Sequence, residues 1–194
     1  MEDVLDLYAE PYNPAFPVVC FDERPYQLIG ETRQPLPCAP GEPARYDYEY
    51  QRLGTCNLFT YLQPLAGWRH VVVTERRTKL DFAPRMKELV DVHFPDAECI
   101  RLVVDNLNIH TPAAFYEAFT PAEARRLAQR IEFHYTPKHG SWLNMVESEL
   151  AVLSRQCLDQ RIPTQALLQS ETAAWEVDRN QRRVMVNWQF KTTD

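Results

Sequence analysis

Three acidic residues stand where a folded chain can bring them together. Asp22 closes the short apolar run Val18-Val19-Cys20-Phe21, Asp105 closes a second run beginning at Ile100, and Glu147 lies in a later amphipathic segment. Carboxylates that are distant in sequence but meet at one sheet edge suit hard divalent cations, which take oxygen ligands and leave positions for water and phosphate. Two such ions roughly 3.5–4 Å apart can activate an attacking oxygen and stabilise a leaving one at phosphorus. Without cations, three close carboxylates repel and one tends to take up a proton. An Asp at a strand end also serves as an ordinary turn or cap residue. The repetition of the pattern is what favours a site.

The elements that must position these acids follow from the hydrophobic periodicity. Around Asp105 both faces of the strand are apolar (Ile100, Leu102 and Val104 on one, Val103 on the other), the mark of a central strand covered on two sides. A polar run from Asn106 to His110 follows, and Thr111-Pro112 opens a helix. If the strand ending at Asp22 lies beside this one, both carboxylates reach the crevice at the strand ends. The alternation of a strand turns Glu23 to the opposite face. The segment 25–43 is proline-rich and reads as an irregular excursion with one short strand at 26–29. Tyr46, Tyr48 and Tyr50 alternate with Asp47 and Glu49 as a half-exposed strand, so 45–75 reads as an antiparallel meander.

Beyond the meander, 78–94 has helical spacing, as does 112–130 with a break at Thr120-Pro121, and 131–137 is a short strand. A loop, Lys138-His139-Gly140, leads to a helix starting at Ser141, whose apolar stripe is Leu143, Val146, Leu150, Leu153 and Cys157. Glu147 and Glu149 each sit about 80° from the centre of that stripe, on opposite flanks, and periodicity leaves open which looks toward the sheet. Thr164 caps a further helix to about Arg182, followed by a short apolar tail with Trp188. The fold class is α/β: a mixed sheet with helices on both faces, in ribonuclease H-like order.

A chain of 194 residues, 45% hydrophobic, is long enough for one domain with a real core. The acidic start, MEDVLDLYAE, is no basic apolar leader, and no run is long enough for a membrane span, so a soluble, cytoplasmic protein is expected. The five cysteines are scattered and read as reduced thiols. The net charge of −6 argues against a protein that coats DNA, although not against a nuclease core carrying its own carboxylates.

Three blocks carry a specific resemblance: VVCFDERPYQLIGET, VVDNLNIHTP and HYTPKHGSWLNMVESEL. They resemble the catalytic blocks of DDE transposases of the mariner superfamily, and most closely its bacterial insertion-sequence branch, the IS-six-thirty group. The similarity runs from about Pro17 to Phe190. It implies that Asp22, Asp105 and Glu147 are the catalytic and metal-binding acids. The third acid of that family follows an Asn by three residues, which selects Glu147 after Asn144 and leaves Glu149 as a surface or flank residue. The implied cofactor is a pair of Mg²⁺ ions, for which Mn²⁺ can substitute. The implied reaction is cut-and-paste transposition: water cleaves the element end to release a 3′-OH, which attacks target DNA at a TA dinucleotide. The implied partners are element-end and target DNA and a second copy of the chain, with a nucleoid-associated location in a bacterium. The family also carries an N-terminal helix-turn-helix DNA-binding domain, and nothing of that kind precedes Met1 here. Residues 1–16 therefore read as a lead-in and 17–194 as the catalytic domain.

Around the three acids, Asn106, His110 and Asn144 are candidates to orient a ligand, and Lys138, His139, Arg76 and Arg77 to contact the DNA backbone. For His110 an ordinary loop hydrogen bond is the competing role. For Arg76 and Arg77 it is a surface ion pair with Glu75 or Asp81. Trp68, Trp142, Trp175 and Trp188 read as packing residues. Two rival functions remain, a nuclease of the same fold without strand transfer and a non-catalytic interaction module. A zinc hydrolase built from His70, His93, His110, His134 and His139 is discounted, because no His-x₃-His or Cys-x₂-Cys pair is present.

Overall fold

The computed structural model describes residues 1–192. Five strands form one mixed sheet in the order β3-β2-β1-β4-β5. The long strands β1 (Val18–Glu31) and β2 (Tyr50–Gln63) pair antiparallel, and β3 (Trp68–Thr74) extends the meander. The short strands β4 (Ile100–Val104) and β5 (Ile131–Tyr135) continue the sheet in parallel.

β1 departs from expectation. It does not end at Asp22 but runs on to Glu31, through Pro25, in register with β2 from Cys20 opposite Leu62 to Glu31 opposite Tyr50. Its pairing with β4 stops at Cys20, so the rest of β1 is an edge, the position in which a sheet tolerates proline. The tyrosine alternation is the second departure. β2 starts only at Tyr50, and Tyr46 and Tyr48 are exposed, touching no core that would hold them in a ladder. Gly54, at φ 118°, lies where the β1–β2 register shifts.

One face of the sheet is covered by α2 (Lys79–Glu88), a π turn (Leu89–His93), α3 (Ala113–Ala118) and α4 (Pro121–Arg130). Their apolar sides enclose Val19, Phe21, Phe59, Tyr61, Ile100, Leu102 and Val104. The helix over 112–130 breaks at Thr120-Pro121 as expected, because proline is favoured at a first helical turn and cannot continue a preceding helix. The other face carries α1 (Glu2–Ala9), α5 (Val146–Gln156) and α6 (Gln165–Gln181). There α1 buries Val4, Leu5 and Leu7 against Val18, Cys20, Leu62 and Val103, while α5 and α6 close over Leu58, Val71 and Val73. α6 also protects the edge strand. Asn180 bonds both the N–H and the C=O of Arg69, standing in for a sixth strand. Among the described residues no helix is long and apolar enough to cross a membrane, and all five cysteines are free.

Candidate active site

The parallel register of β1 and β4 brings the two aspartates together. Val18 pairs with Arg101, Val19 with Leu102 and Cys20 with Val103. Two residues further along each strand, Asp22 and Asp105 therefore stand side by side. By alternation they share the sheet face of Cys20 and Val103, which α5 covers. Asp22 and Glu147 line one open cleft with Arg24, Leu150 and Ala151. Asp105 lines another with Asn106, Thr136, Lys138, His139 and Ser141.

The helix expected from Ser141 is not continuous. Ser141–Leu143 is a single 3₁₀ turn, and α5 starts at Val146, so Glu147 lies in its first turn. Asn144, fully buried between the two, donates from Nδ2 to the backbone oxygen of Phe21 at 2.8 Å, and its own carbonyl accepts from the Glu147 N–H at 3.1 Å. The residue three before the acid thus ties the start of α5 to the backbone beside Asp22. Tyr8 of α1 adds a second tie, its hydroxyl donating to the Leu143 carbonyl at 2.9 Å.

The electrostatics of the three acids are uneven. Burial, opposed by a bond from the Glu23 N–H and reinforced by the charges of Glu147, Asp105 and Glu23, raises Asp22 to about 7. Asp105 is held below the usual carboxylate range, chiefly by its bond to His110. His110 is fully buried and bridges two acids, with Nδ1 2.7 Å from Asp105 Oδ1 and Nε2 2.8 Å from Glu23 Oε1. Burial opposes its charge, but the bonds to Asp105 and Glu23 prevail and raise it to about 9. Tyr135 donates to the His110 carbonyl at 2.7 Å. His110, in the loop after β4, is therefore a brace beneath Asp105. Glu23 does point to the opposite face, as the alternation predicts, yet it is buried there as the far end of that brace.

Glu149 is neither a surface nor a flank residue. It is 2% exposed and clamped by the buried Arg69 at 3.0 Å and by Arg179 at 2.7 Å. Asn106 donates to the Thr136 carbonyl, fastening the loop after β4 to the end of β5. Lys138 and His139 are exposed beside Asp105, with His139 in the left-handed region at φ 64°. Arg76 and Arg77 are exposed, neither joins Glu75 or Asp81 in an ion pair, and the charge of Arg77 helps hold Asp105 down. Asp81 instead caps α2 through the Thr78 N–H. Trp68 and Trp188 pack against the core clusters and Trp175 lies within one, whereas Trp142 is exposed and stacks on Trp188 at the surface. His110, His134 and His139 do not cluster as a zinc site. His134 pairs instead with Asp3 at 2.9 Å.

The donor set at Asp22, Asp105 and Glu147 is all oxygen and all carboxylate, and Asp22 is burdened by burial and by its acidic neighbours. That chemistry fits a hard divalent cation, whose charge relieves the repulsion. A pH dependence follows for the metal-free protein. A carboxyl raised in the folded state binds its proton more tightly there than when unfolded, so stability falls as pH rises from about 4 to about 7. Asp22→Asn should remove that part of the slope, and Mg²⁺ should flatten it in the wild type. Urea unfolding between pH 4 and 8, in EDTA for the two metal-free proteins and in a separate EDTA-free series with Mg²⁺ for the wild type, measures both, and identical metal-free slopes for the two proteins would refute the assignment.

A sequence profile described as "DDE superfamily endonuclease" matches residues 17–169. Among solved structures, the chain is similar to the Mos1 transposase paired-end complex with left transposon end, at a TM-score of 0.59 and 14% identity, over 94% of this chain and 57% of that one. It is similar also to the Mos1 mariner paired end complex with Mn, at a TM-score of 0.57 and 14% identity, over 93% and 55%. The chain thus spans little more than half the length of either structure. No curated protein sequence matches it. The fold these structures share with it is ribonuclease H-like. With its profile covering most of the chain, this protein belongs to the DDE superfamily of endonucleases.

Proposed function

We propose that the chain is the catalytic domain of a cut-and-paste DNA transposase of the mariner type, closest to the bacterial insertion-sequence branch. The observation that carries this reading is the register that sets Asp22 beside Asp105 on the sheet face under Glu147. Asp22, Asp105 and Glu147 hold two Mg²⁺ ions, or Mn²⁺ in their place. Bound there, the cations supply charge neutralisation at the phosphate and an acidified attacking water. His110 keeps Asp105 ionised and fixed in direction, with Glu23 anchoring its other nitrogen. Lys138 and Arg77, two exposed cations, lie with the His139 ring on the Asp105 side, where such groups position a phosphate backbone.

Water cleaves the phosphodiester at an element end, and the freed 3′-OH attacks target DNA at TA. The two similar Mos1 structures are paired-end complexes, which supports the reading that two element ends are held together during the reaction. The test is to incubate the protein with Mn²⁺ and two duplexes, one intact and one carrying a pre-cleaved 3′-OH end. Cleavage with joined products is the expected result. Cleavage without joining would leave a plain nuclease, and neither product, with no thermal shift on adding Mn²⁺, would leave an interaction module. Glu147→Gln should abolish both products while leaving the unfolding midpoint near that of the wild type, because the side chain is only half-buried and carries no ion pair.

A further inference from the structure

On the opposite face of the sheet, at its β3 edge, a second group of ligands is assembled from residues far apart in sequence. His70 of β3, Glu88 at the end of α2 and His93 at the end of the π turn offer three ligand atoms that all lie within 4.8 Å of one another. The π turn is what delivers the last of them. Its widened winding, closed by the Phe94 N–H on the Leu89 carbonyl at 2.9 Å, sets the His93 ring 4.5 Å from that of His70. Such bulges recur at functional positions in helices.

Two features distinguish this group from a chance meeting of polar side chains. The Nε2 atoms of His70 and His93 are both buried and have no hydrogen-bond partner, an expensive arrangement for polar atoms with nothing to bind. The other nitrogen of His70 is already engaged: Nδ1 lies 3.0 Å from Glu176 Oε1, and the same carboxylate accepts from the Val71 N–H at 2.9 Å. A carboxylate behind a histidine fixes the ring and leaves Nε2 free as a lone-pair donor, the support that metal-binding histidines characteristically have. Trp68 packs against both rings and supplies an apolar wall.

The geometry points to a second metal site, in which His70, Glu88 and His93 bind a zinc-type divalent cation. Two imidazoles and one carboxylate suit Zn²⁺ rather than Mg²⁺, and three protein ligands leave one coordination position open. Glu88 also pairs with Arg85 at 2.6 Å through one oxygen, so the other remains available to the cation. A bound ion would join the edge strand to the π turn. The site is independent of the roles proposed for Asp22, Asp105 and Glu147.

The experiment titrates Zn²⁺ into the metal-free full chain by calorimetry, with Co²⁺ absorption as the report of imidazole coordination. One equivalent of Zn²⁺ should bind, raising the unfolding midpoint by roughly 5–10 °C at free zinc a hundredfold above Kd. The triple variant D22N/D105N/E147Q should bind it unchanged. His93→Gln should lose affinity by about a hundredfold or more, and Glu176→Gln, which supports the site through His70 without being a ligand, by about 10–100-fold. If His93→Gln fails to fold by circular dichroism, Glu88→Gln replaces it, since that side chain is one-third exposed. No binding to the wild type, loss of binding in the triple variant, or full affinity in the folded ligand variants would each overturn the site.

Discussion

Asp105→Asn should leave the protein folded and slow metal-dependent DNA cleavage at least about a thousandfold, a barrier increase of about 4 kcal/mol at 1.36 kcal/mol per decade. Asparagine preserves the shape of the side chain and can still accept the Leu107 N–H, which now bonds Asp105 Oδ1 at 3.1 Å. It loses the negative charge, and with it both an anionic cation ligand and the counter-charge that faces His110 Nδ1 at 2.7 Å. The substitution therefore separates folding from chemistry at a residue that is only half-buried. Single-turnover cleavage in Mn²⁺ gives the rate, and the His110 ring gives a second reading by NMR. With one of its two carboxylates neutralised, His110 should titrate well below its present value of about 9. A variant that cleaves within tenfold of the wild-type rate would remove Asp105 from the site.

Much of this site was legible in the sequence because its parts obey short-range rules. Apolar runs announce β1 and β4, and a strand's period of two puts Asp22 and Asp105 on one face once the strands are adjacent. The break at Thr120-Pro121 and the cap at Thr164 follow from proline and threonine chemistry alone. What the sequence concealed depends on partners far along the chain. Glu147 and Glu149 are equivalent by periodicity, and only Arg69 and Arg179, from β3 and α6, draw Glu149 inward. Glu23 looked idle because nothing local signals that His110, 87 residues on, will meet it behind Asp105. β1 outlasts its expected end because β2 is long enough to pair with it as far as Glu31, a fact about the partner strand and not about Pro25. His70 and His93 lack ligand spacing in sequence and meet only through a π turn, which no hydrophobic period predicts.

Glu149→Ala should cost about 3–5 kcal/mol, because it leaves a buried guanidinium without its counter-charge. Arg69 is fully buried, and its remaining contacts are to uncharged acceptors, the carbonyls of Gly67 and Val184 and the Asn180 side chain. With Glu149 gone it would face Arg179 across the same space. Out of a total stability of about 5–15 kcal/mol, the loss is large, and the unfolding midpoint should fall on the order of 10 °C. Arg179 can relax, since it is partly exposed and already lies against the Trp175 ring at 5.5 Å, whereas Arg69 has no route to water. The double variant R69M/E149L should therefore recover most of the loss, as replacing a whole buried pair with apolar side chains is often neutral. Recovery of the midpoint is the result that attributes the cost to the stranded charge rather than to a cavity, and a double variant no more stable than Glu149→Ala would reverse that attribution. The same pair measures positioning. Glu149 fastens α5 to β3 from the side opposite Glu147, so a double variant that melts like the wild type yet cleaves DNA far more slowly would show that the buried ions aim the third acid, and equal cleavage would confine them to folding.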